Sequence, residues 1–265
     1  MKNRSPLNYI CRGDLQNPAV IFLHGFLGNL KDWEKIISLL EKNFFCVAVD
    51  LPGHGKSEIT KEDNFKTLSH SLSDLTASLK DGPWNVVGYS MGGRIALYWS
   101  VHFPQKISKL VLESASPGIK NTKERQQRLI EDQNRAIRLK KENFMKFLND
   151  WYRLPLFGKI NQHKDFSAML QNRFSNLPEN LSRAWVQFST GSQPSFWREL
   201  ASIKFPVLLV SGEDDLKYKE ICREMQTCNQ SFQWEVLADT AHNTHFENPD
   251  LFAEHLIQFL SLRNQ

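Results

Sequence analysis

The sequence predicts an α/β fold in which a mostly parallel sheet is flanked by helices on both faces. Short unbroken apolar runs alternate along the chain with longer stretches of helical periodicity. Strands that are buried on both faces have such continuous apolar runs, and helices between them connect parallel strands. The chain has 265 residues and a hydrophobic content of 41%, which suffices for one sizeable core.

The apolar runs that predict strands lie at residues 19–23, 44–49, 84–87, 107–112, 207–210 and 232–237. Helical patterns lie between them at residues 33–40, 68–79 and 93–99. We expect a final helix from Pro249 to Leu262, with Asn248 as its cap. Proline is favoured at the first helical position because the N–H that it lacks would have no partner there.

One long segment, residues 117–200, contains no convincing buried strand. It is polar and helix-rich, and it is punctuated by Pro155, Pro178 and Pro194. It lies between two predicted core strands. We therefore expect residues 1–116 and 201–265 to form the core, and residues 117–200 to form a helical cap. Such a cap would cover the carboxyl edge of the sheet, where open α/β sheets bind ligands.

Charge is distributed unevenly between these two parts. Residues 117–200 contain 15 Lys and Arg against 8 Asp and Glu, whereas the rest of the chain contains 18 against 21. A basic segment over an acidic scaffold attracts anionic ligands. The basic residues are interleaved with acidic ones and no nucleic-acid motif is present. We therefore expect a small anionic ligand and no nucleic-acid partner.

No apolar run approaches the length that spans a bilayer, so no membrane span is expected. Met1–Pro6 leads into a mixed segment without the apolar stretch of a secretory signal. The four cysteines are scattered without metal-ligand spacing, and Cys46 is interpreted as a small core residue. These features favour a reducing, cytoplasmic compartment. We also expect a monomer or a weak homo-oligomer.

The stretch Gly88-Tyr89-Ser90-Met91-Gly92 follows a predicted strand and precedes a predicted helix. This context is typical of a nucleophile elbow, in which a strained serine projects its Oγ above the edge of the sheet. The turn is so tight that side chains at positions 88 and 92 would collide, so glycine is needed at both. The alternative is a glycine-rich turn with an ordinary serine. We favour the elbow because other parts of a catalytic site follow in the expected order.

The loop His24-Gly25-Phe26-Leu27-Gly28 directly follows the first strong strand. In serine α/β hydrolases, a backbone N–H from this loop and the N–H after the nucleophile stabilise a developing oxyanion. These donors would be the N–H groups of Phe26 and Met91. Loss of one such donor typically lowers turnover ~10²–10³-fold. His24 is interpreted as a loop-packing residue.

An acid and a base candidate follow the last two predicted strands. Asp215 and Asp214 both qualify as the carboxylate that orients an imidazole, and the spacing Gly-x-x-Asp favours Asp215. His242 is the base candidate, whereas His245 is interpreted as a cap or surface residue. The order Ser90, Asp215, His242 is the order expected of an α/β hydrolase. The other histidines are interpreted as surface or loop groups: His54, His70, His102, His163 and His255.

Several arginines are expected near Ser90. Arg94 lies four residues after it, Arg125 and Arg128 share one face of the first cap helix, and Arg173 lies further along the cap. The guanidinium group binds planar carboxylates through two parallel hydrogen bonds, so a substrate with more than one carboxylate is indicated. Alternatively, Arg125 and Arg128 are exposed helix residues, and charge alone does not decide between the two.

The elbow by itself leaves the reaction open. An esterase, lipase, peptidase, thioesterase, C–C hydrolase or lyase would use the same fold. A binding module that keeps the fold without the chemistry is a further alternative, and an intact set of Ser90, Asp215 and His242 argues against it.

The chain resembles the 2-succinyl-6-hydroxy-2,4-cyclohexadiene-1-carboxylate synthases, the MenH-type enzymes of menaquinone and phylloquinone biosynthesis. The resemblance extends from about Val20 to the final helix. It is carried by motifs in the core and the cap: residues 24–28, 50–55, 88–94, Glu113, Pro117-Gly118, 124–128, Asp150-Trp151-Tyr152, Pro155, Phe157, 241–245 and 247–249. One departure is Ala241, where the family commonly has glycine before the histidine.

The resemblance implies an α/β-hydrolase fold with a helical cap, but a lyase reaction. Pyruvate would be eliminated from 2-succinyl-5-enolpyruvyl-6-hydroxy-3-cyclohexene-1-carboxylate, with Ser90 activated by His242 and Asp215 and without a metal or other cofactor. It implies contacts with the substrate from Tyr89, Arg94, Arg128, Trp151 and Arg173. The alternative is a serine carboxylesterase or C–C bond hydrolase with the same triad.

Overall fold

The computed structural model describes residues 7–262, which form a seven-stranded sheet in the order β1-β3-β2-β4-β5-β6-β7. β1 is antiparallel to β3, and every other pair of neighbours is parallel. The strands are β1 (Tyr9–Arg12), β2 (Ala19–Leu23), β3 (Phe45–Val49), β4 (Trp84–Tyr89), β5 (Ile107–Glu113), β6 (Val207–Gly212) and β7 (Gln233–Leu237).

The six predicted strands are confirmed, and β1 is an additional one. Every residue of β2, β3 and β4 is buried, as expected of strands covered on both faces. β1 lies at the edge of the sheet, and its end residues Tyr9 and Arg12 are exposed. It has no apolar run, which is why the sequence pattern missed it. The expectation for Met1–Pro6 lies outside the described residues.

The helices alternate with the strands in the core and follow one another in the segment between β5 and β6. The α-helices are α1 (Glu34–Leu40), α2 (Phe65–Leu79), α3 (Met91–His102), α4 (Thr122–Lys141), α5 (Phe144–Tyr152), α6 (Phe166–Arg173), α7 (Pro178–Gln187), α8 (Leu216–Cys228), α9 (Thr244–Glu247) and α10 (Pro249–Ser261). Short 3₁₀ helices lie at Leu30–Trp33, Pro104–Lys106, Pro155–Phe157, Ile160–Gln162 and Glu199–Ser202.

The predicted start of the final helix is confirmed. The side chain of Asn248 accepts a hydrogen bond from the Leu251 N–H at 3.2 Å, and Pro249 occupies the first helical position. The helix ends at Ser261, one residue before the predicted end. The start of this helix therefore follows from local sequence signals.

The sheet is covered on both faces by apolar side chains. One cluster joins the sheet to α2, α3 and α8 and includes Leu72, Trp99 and Met225. A second cluster joins the opposite face to α1 and α10 and includes Ile36 and Phe252. This three-layer packing confirms the predicted α/β architecture. Cys46 is fully buried, as expected of a small core residue.

The segment between β5 and β6 contains α4 to α7 and no strand. Its helices share an apolar cluster that includes Leu139, Leu148 and Trp185, and this cluster extends to Phe26 and Leu27 in the loop after β2. The helical segment thus lies against the loop at the carboxyl end of β2. The exact bounds of the cap at residues 117 and 200 stay a prediction.

Within residues 7–262, no helix combines the length and apolar character that crossing a membrane requires. All four cysteines are free.

Candidate active site

Ser90 occupies a strained turn between β4 and α3. Its backbone has φ of 49° and ψ of −106°, a region that residues with a side chain rarely adopt. Tyr89 ends the strand and Met91 begins the helix, so the whole change of direction falls on Ser90. This is the backbone conformation of a nucleophile elbow.

The two glycines of the elbow are needed for different reasons. A Cβ atom on Gly88 would lie 2.6 Å from the carbonyl oxygen of Gly92, so the turn itself excludes it. A Cβ atom on Gly92 would lie 2.1 Å from the carbonyl oxygen of Leu23, at the end of β2. The expected collision within the turn therefore applies to Gly88, whereas Gly92 allows the neighbouring strand to approach.

His242 connects the predicted acid and nucleophile. Its Nδ1 lies 2.7 Å from Asp215 Oδ2, and its Nε2 lies 3.0 Å from Ser90 Oγ. Asp215 follows β6 and His242 follows β7, so both reach Ser90 from the carboxyl edge of the sheet. With a proton on Nδ1, the ring donates to Asp215 and accepts the Ser90 hydroxyl proton. This arrangement is able to activate a serine.

The structure brings Asp215, and not Asp214, to His242. Asp215 is buried, and its second carboxylate oxygen accepts the Tyr218 N–H at 3.3 Å. Asp214 is exposed, and its N–H donates to the carbonyl of Thr240 at 2.9 Å. The Gly-x-x-Asp spacing therefore selects the residue whose side chain faces the site.

The backbone N–H groups of Phe26 and Met91 have no acceptor among the residues that the structure describes. These are the two predicted oxyanion donors. The loop that carries Phe26 is held by His24, whose Nε2 accepts the Leu51 N–H at 2.9 Å and whose Nδ1 lies 2.7 Å from the Gly25 carbonyl. Burial lowers the pKa of His24. The interpretation of His24 as a loop-packing residue is confirmed.

A cavity of about 630 Å³ opens above Ser90 and His242. All five predicted substrate contacts line it: Tyr89, Arg94, Arg128, Trp151 and Arg173. Four further basic side chains lie on its wall, namely Lys120, Arg135, Arg138 and Lys217, against three acidic ones, Glu124, Asp150 and Glu224. A larger cavity of about 980 Å³ contains none of the triad residues. The basic cavity is therefore the candidate site for an anionic ligand.

Arg94 is a buried residue on the wall of this cavity. Its Nη1 donates to the carbonyl of Phe188 in the cap at 2.8 Å. Burial lowers the pKa of Arg94 to about 10, and the Phe188 carbonyl that it contacts is a neutral partner. An anionic group of a ligand would supply a charged partner.

Arg128 lies on α4 and is held by an ion pair with Asp132 of the same helix. Its Nε donates to Asp132 Oδ1 at 2.9 Å, and the other oxygen of Asp132 accepts the Ser189 hydroxyl at 2.7 Å. Asp132 is fully buried. Arg125, although on the same helix, does not line the cavity. Charge alone did not show whether Arg125 and Arg128 face a ligand or solvent. In the structure, only Arg128 of these two lines the cavity.

Arg173 lines the cavity but already has two partners. Its Nη1 lies 2.6 Å from Asp32 Oδ1, and its Nε donates to the Tyr152 hydroxyl at 2.8 Å. Burial opposes the charge, but the Asp32 carboxylate and Tyr152 raise the pKa of Arg173 overall. This side chain ties the cap to the core as well as facing the cavity.

The interpretation of His245 as a cap or surface residue is wrong. Its ring is buried, stacks on Trp33 with ring centroids 4.1 Å apart, and places Nδ1 2.7 Å from Glu113 Oε2. Glu113 is 132 residues away along the chain, so no local pattern signals the pair. His54 is a loop residue as expected, but it is buried and its Nε2 accepts the Leu27 N–H at 3.3 Å.

Glu247 was not expected to serve the site. Its carboxylate accepts the N–H groups of Ala241 at 3.0 Å and of Asn243 at 3.1 Å, one on each side of His242. These two hydrogen bonds hold the loop with His242 facing Ser90, although position 241 is alanine where the family commonly has glycine. Across the described part of the chain, no three His, Cys, Asp or Glu side chains are grouped so as to hold a metal ion.

The fold and this site define a class. The family model described as alpha/beta hydrolase fold matches residues 18–249. The chain is 31% identical to 2-succinyl-6-hydroxy-2,4-cyclohexadiene-1-carboxylate synthase of Serratia proteamaculans over 251 residues, which cover 94% of this chain and 95% of that protein. The structure of MenH from S. aureus is 32% identical with a TM-score of 0.90, over 95% of this chain and 97% of that one. This chain belongs to the 2-succinyl-6-hydroxy-2,4-cyclohexadiene-1-carboxylate synthase family, as its motifs predicted.

A plant relative extends the comparison. The chain is 31% identical to PHYLLO of Arabidopsis thaliana over 253 residues, which cover 88% of this chain but 15% of that protein. The likeness to an enol-lactonase from Burkholderia xenovorans, with 21% identity and a TM-score of 0.82, shows the fold alone.

Proposed function

We propose that this chain is a carbon–oxygen lyase of menaquinone or phylloquinone biosynthesis. It eliminates pyruvate from 2-succinyl-5-enolpyruvyl-6-hydroxy-3-cyclohexene-1-carboxylate and forms 2-succinyl-6-hydroxy-2,4-cyclohexadiene-1-carboxylate. The supporting observation is that Ser90, His242 and Asp215 form a chain of hydrogen bonds, and that Ser90 and His242 line a cavity whose charged side chains are mostly basic. Membership of the synthase family supports the same reaction.

Substrate binding follows from the charges. The substrate carries three carboxylates, and the guanidinium fork is suited to each of them. Arg94 and Arg128 approach from the core and the cap, with Arg173, Tyr89 and Trp151 on the remaining wall. These groups would hold the ring above Ser90. Orientation of this kind accounts for a large part of enzymatic rate enhancement.

Proton transfer begins at the triad. His242 Nε2 draws the proton of the Ser90 hydroxyl, and Asp215 stabilises the imidazolium that forms. Ser90 Oγ then removes the ring proton next to the succinyl carbonyl. The serine acts as a base, so the reaction needs no acyl-enzyme intermediate.

The electron pair left by that proton moves onto the succinyl carbonyl oxygen. We propose that the N–H groups of Phe26 and Met91 stabilise this charge, and the lack of an acceptor for either group within residues 7–262 supports this role. When the charge returns to the ring, a conjugated diene forms and the C–O bond to the enolpyruvyl group breaks. The departing enolpyruvate takes up a proton and becomes pyruvate, and the His242 imidazolium gives up its proton, so that the neutral triad is restored.

The setting of the enzyme is part of the same proposal. We propose a cytoplasmic enzyme that acts on a small polycarboxylate as a monomer or a weak homo-oligomer. The four free cysteines support a reducing compartment.

A serine carboxylesterase or C–C bond hydrolase is the alternative, because hydrolases use the same triad geometry. Two measurements on the purified chain separate the reactions. Pyruvate is measured after addition of the enolpyruvyl substrate, and p-nitrophenyl release is measured with a panel of esters. Pyruvate release with slow ester turnover supports the lyase. Brisk ester turnover without pyruvate would contradict it.

A further inference from the structure

We propose that Glu113 is a positioning residue that fixes the distance between Ser90 and His242. The proposal rests on the proposed function in one respect, since it takes these two residues as the reacting pair. Glu113 ends β5 and is fully buried, although a carboxylate is costly to bury. Its hydrogen bonds reach both halves of the site.

The main chain of Glu113 holds the nucleophile. Its carbonyl oxygen accepts the Ser90 N–H at 2.8 Å, at the point where β4 turns into the elbow. Tyr89 pairs with Glu113 in the register of β4 and β5. The strained backbone of Ser90 is thus held from the neighbouring strand.

The side chain of Glu113 holds the loop of the base. Oε1 accepts the Thr244 hydroxyl at 2.6 Å and the His245 N–H at 3.0 Å. Oε2 lies 2.7 Å from Nδ1 of the His245 ring. These donors lie two and three residues after His242. One carboxylate therefore holds the start of α9, which lies two residues after His242 in the chain.

Packing makes this connection stiff. The ring of Tyr89 contacts both histidines, with centroid distances of 5.4 Å to His242 and 5.0 Å to His245. Trp33 stacks on the ring of His245, with 4.1 Å between the ring centroids. A displacement of about 1 Å is enough to lower catalysis ~10²-fold. Loosening the His245–Glu113 pair should therefore displace His242 and slow the reaction of Ser90.

The test uses Glu113→Gln. Glutamine has nearly the same size but only one acceptor oxygen, so it cannot accept from all three donors. We expect the rate of Ser90 phosphonylation by a fluorophosphonate to fall ~10-fold or more, and kcat for pyruvate release to fall in parallel, with KM within twofold. Phosphonylation does not depend on the natural substrate. It therefore tests the position of Ser90 and His242 even if the proposed reaction fails.

Lys109→Met is the matched control, because Lys109 lies on the same strand and is buried at its opposite end. Its Nζ donates to the carbonyls of Phe259 at 3.0 Å and Leu260 at 2.9 Å. We expect this variant to lose thermal stability but to keep the wild-type phosphonylation rate. If Glu113 had a purely structural role, Glu113→Gln would likewise lose thermal stability but keep the wild-type phosphonylation rate.

Thr244→Val serves if Glu113→Gln does not fold, because it removes a single donor to the carboxylate. We expect phosphonylation of Thr244→Val to slow severalfold, in line with one lost hydrogen bond to a charged group. A folded Glu113→Gln, or in its absence Thr244→Val, that is labelled within twofold of the wild-type rate would overturn the proposal.

Discussion

Arg173 of the cap and Asp32 of the core form a buried ion pair, with 2.6 Å between Nη1 and Oδ1. The two side chains are only 3% and 9% exposed. Next to them, the amide groups of Asn29 and Asn172 exchange hydrogen bonds at 3.1 Å. This polar contact fixes the end of α6 on the 3₁₀ helix after β2, so that the cap sits on the loop that carries Phe26.

Removal of one partner of this pair should destabilise the protein. Arg173→Met leaves Asp32 buried without its cation, and breaking a buried pair costs about 3–5 kcal/mol. The free energy of unfolding, measured by urea denaturation, should fall by that amount. The double variant Asp32→Asn with Arg173→Met should recover part of the loss, because no unpaired charge remains. Equal stability of Arg173→Met and the wild type would contradict the pairing.

Arg128→Ala should weaken catalysis much more than Arg125→Ala. Arg128 lines the cavity, whereas Arg125 on the same helix does not. A hydrogen bond to a charged group contributes about 1.5–3 kcal/mol, so kcat/KM for pyruvate release should fall ~10–100-fold. Arg125→Ala is the control and should stay within twofold of the wild type. An unchanged kcat/KM in Arg128→Ala would remove this arginine from the substrate site.

The carboxylate of Glu247 should make stability depend on pH. Burial raises the pKa of Glu247 to about 7, although the N–H groups of Ala241 and Asn243 act to lower it. In the unfolded chain a glutamate has a pKa of about 4.3. The folded state therefore binds the proton of the Glu247 carboxyl more tightly than the unfolded state does. This proton binding stabilises the folded protein fully below about pH 4, and the stabilisation is lost as pH rises towards 7.

Activity should change in the opposite direction over this range. Only ionised Glu247 has two free oxygens for the N–H groups on both sides of His242, so the loop is best held above pH 7. Urea unfolding and kcat are measured from pH 5 to 8, for the wild type and for Glu247→Gln. The stability difference between the two should decline as pH rises to about 7 and then level off. A difference independent of pH would contradict the assignment.

Local steric rules explain why so much of the site was predictable. The elbow needs glycine at positions 88 and 92, and strand ends in a parallel sheet meet at one edge, so the order of Ser90, Asp215 and His242 implied their meeting. The distances of 2.7 Å and 3.0 Å around His242 agree with that expectation. Their chemical roles stay a prediction.

Partnerships between distant residues were not predictable in the same way. Arg173 was expected to contact substrate, but its pairing with Asp32, 141 residues away, has no sequence signal. His245 and Glu113 were both noticed as parts of motifs, yet nothing in either motif indicates that they bind each other. β1 was missed because an edge strand of four residues lacks the apolar run of a buried one.

The proposed mechanism is tested most simply by measuring pyruvate release by Ser90→Ala. The central claim is that the Ser90 oxygen removes the ring proton, and a general base contributes ~10²–10⁴-fold. Ser100→Ala is the control, because Ser100 is buried on α3, the helix that begins directly after Ser90, and its hydroxyl donates to the Ala96 carbonyl. We predict a loss of at least ~10²-fold in kcat for Ser90→Ala and none for Ser100→Ala. Pyruvate release by folded Ser90→Ala at a near wild-type rate would contradict the claim.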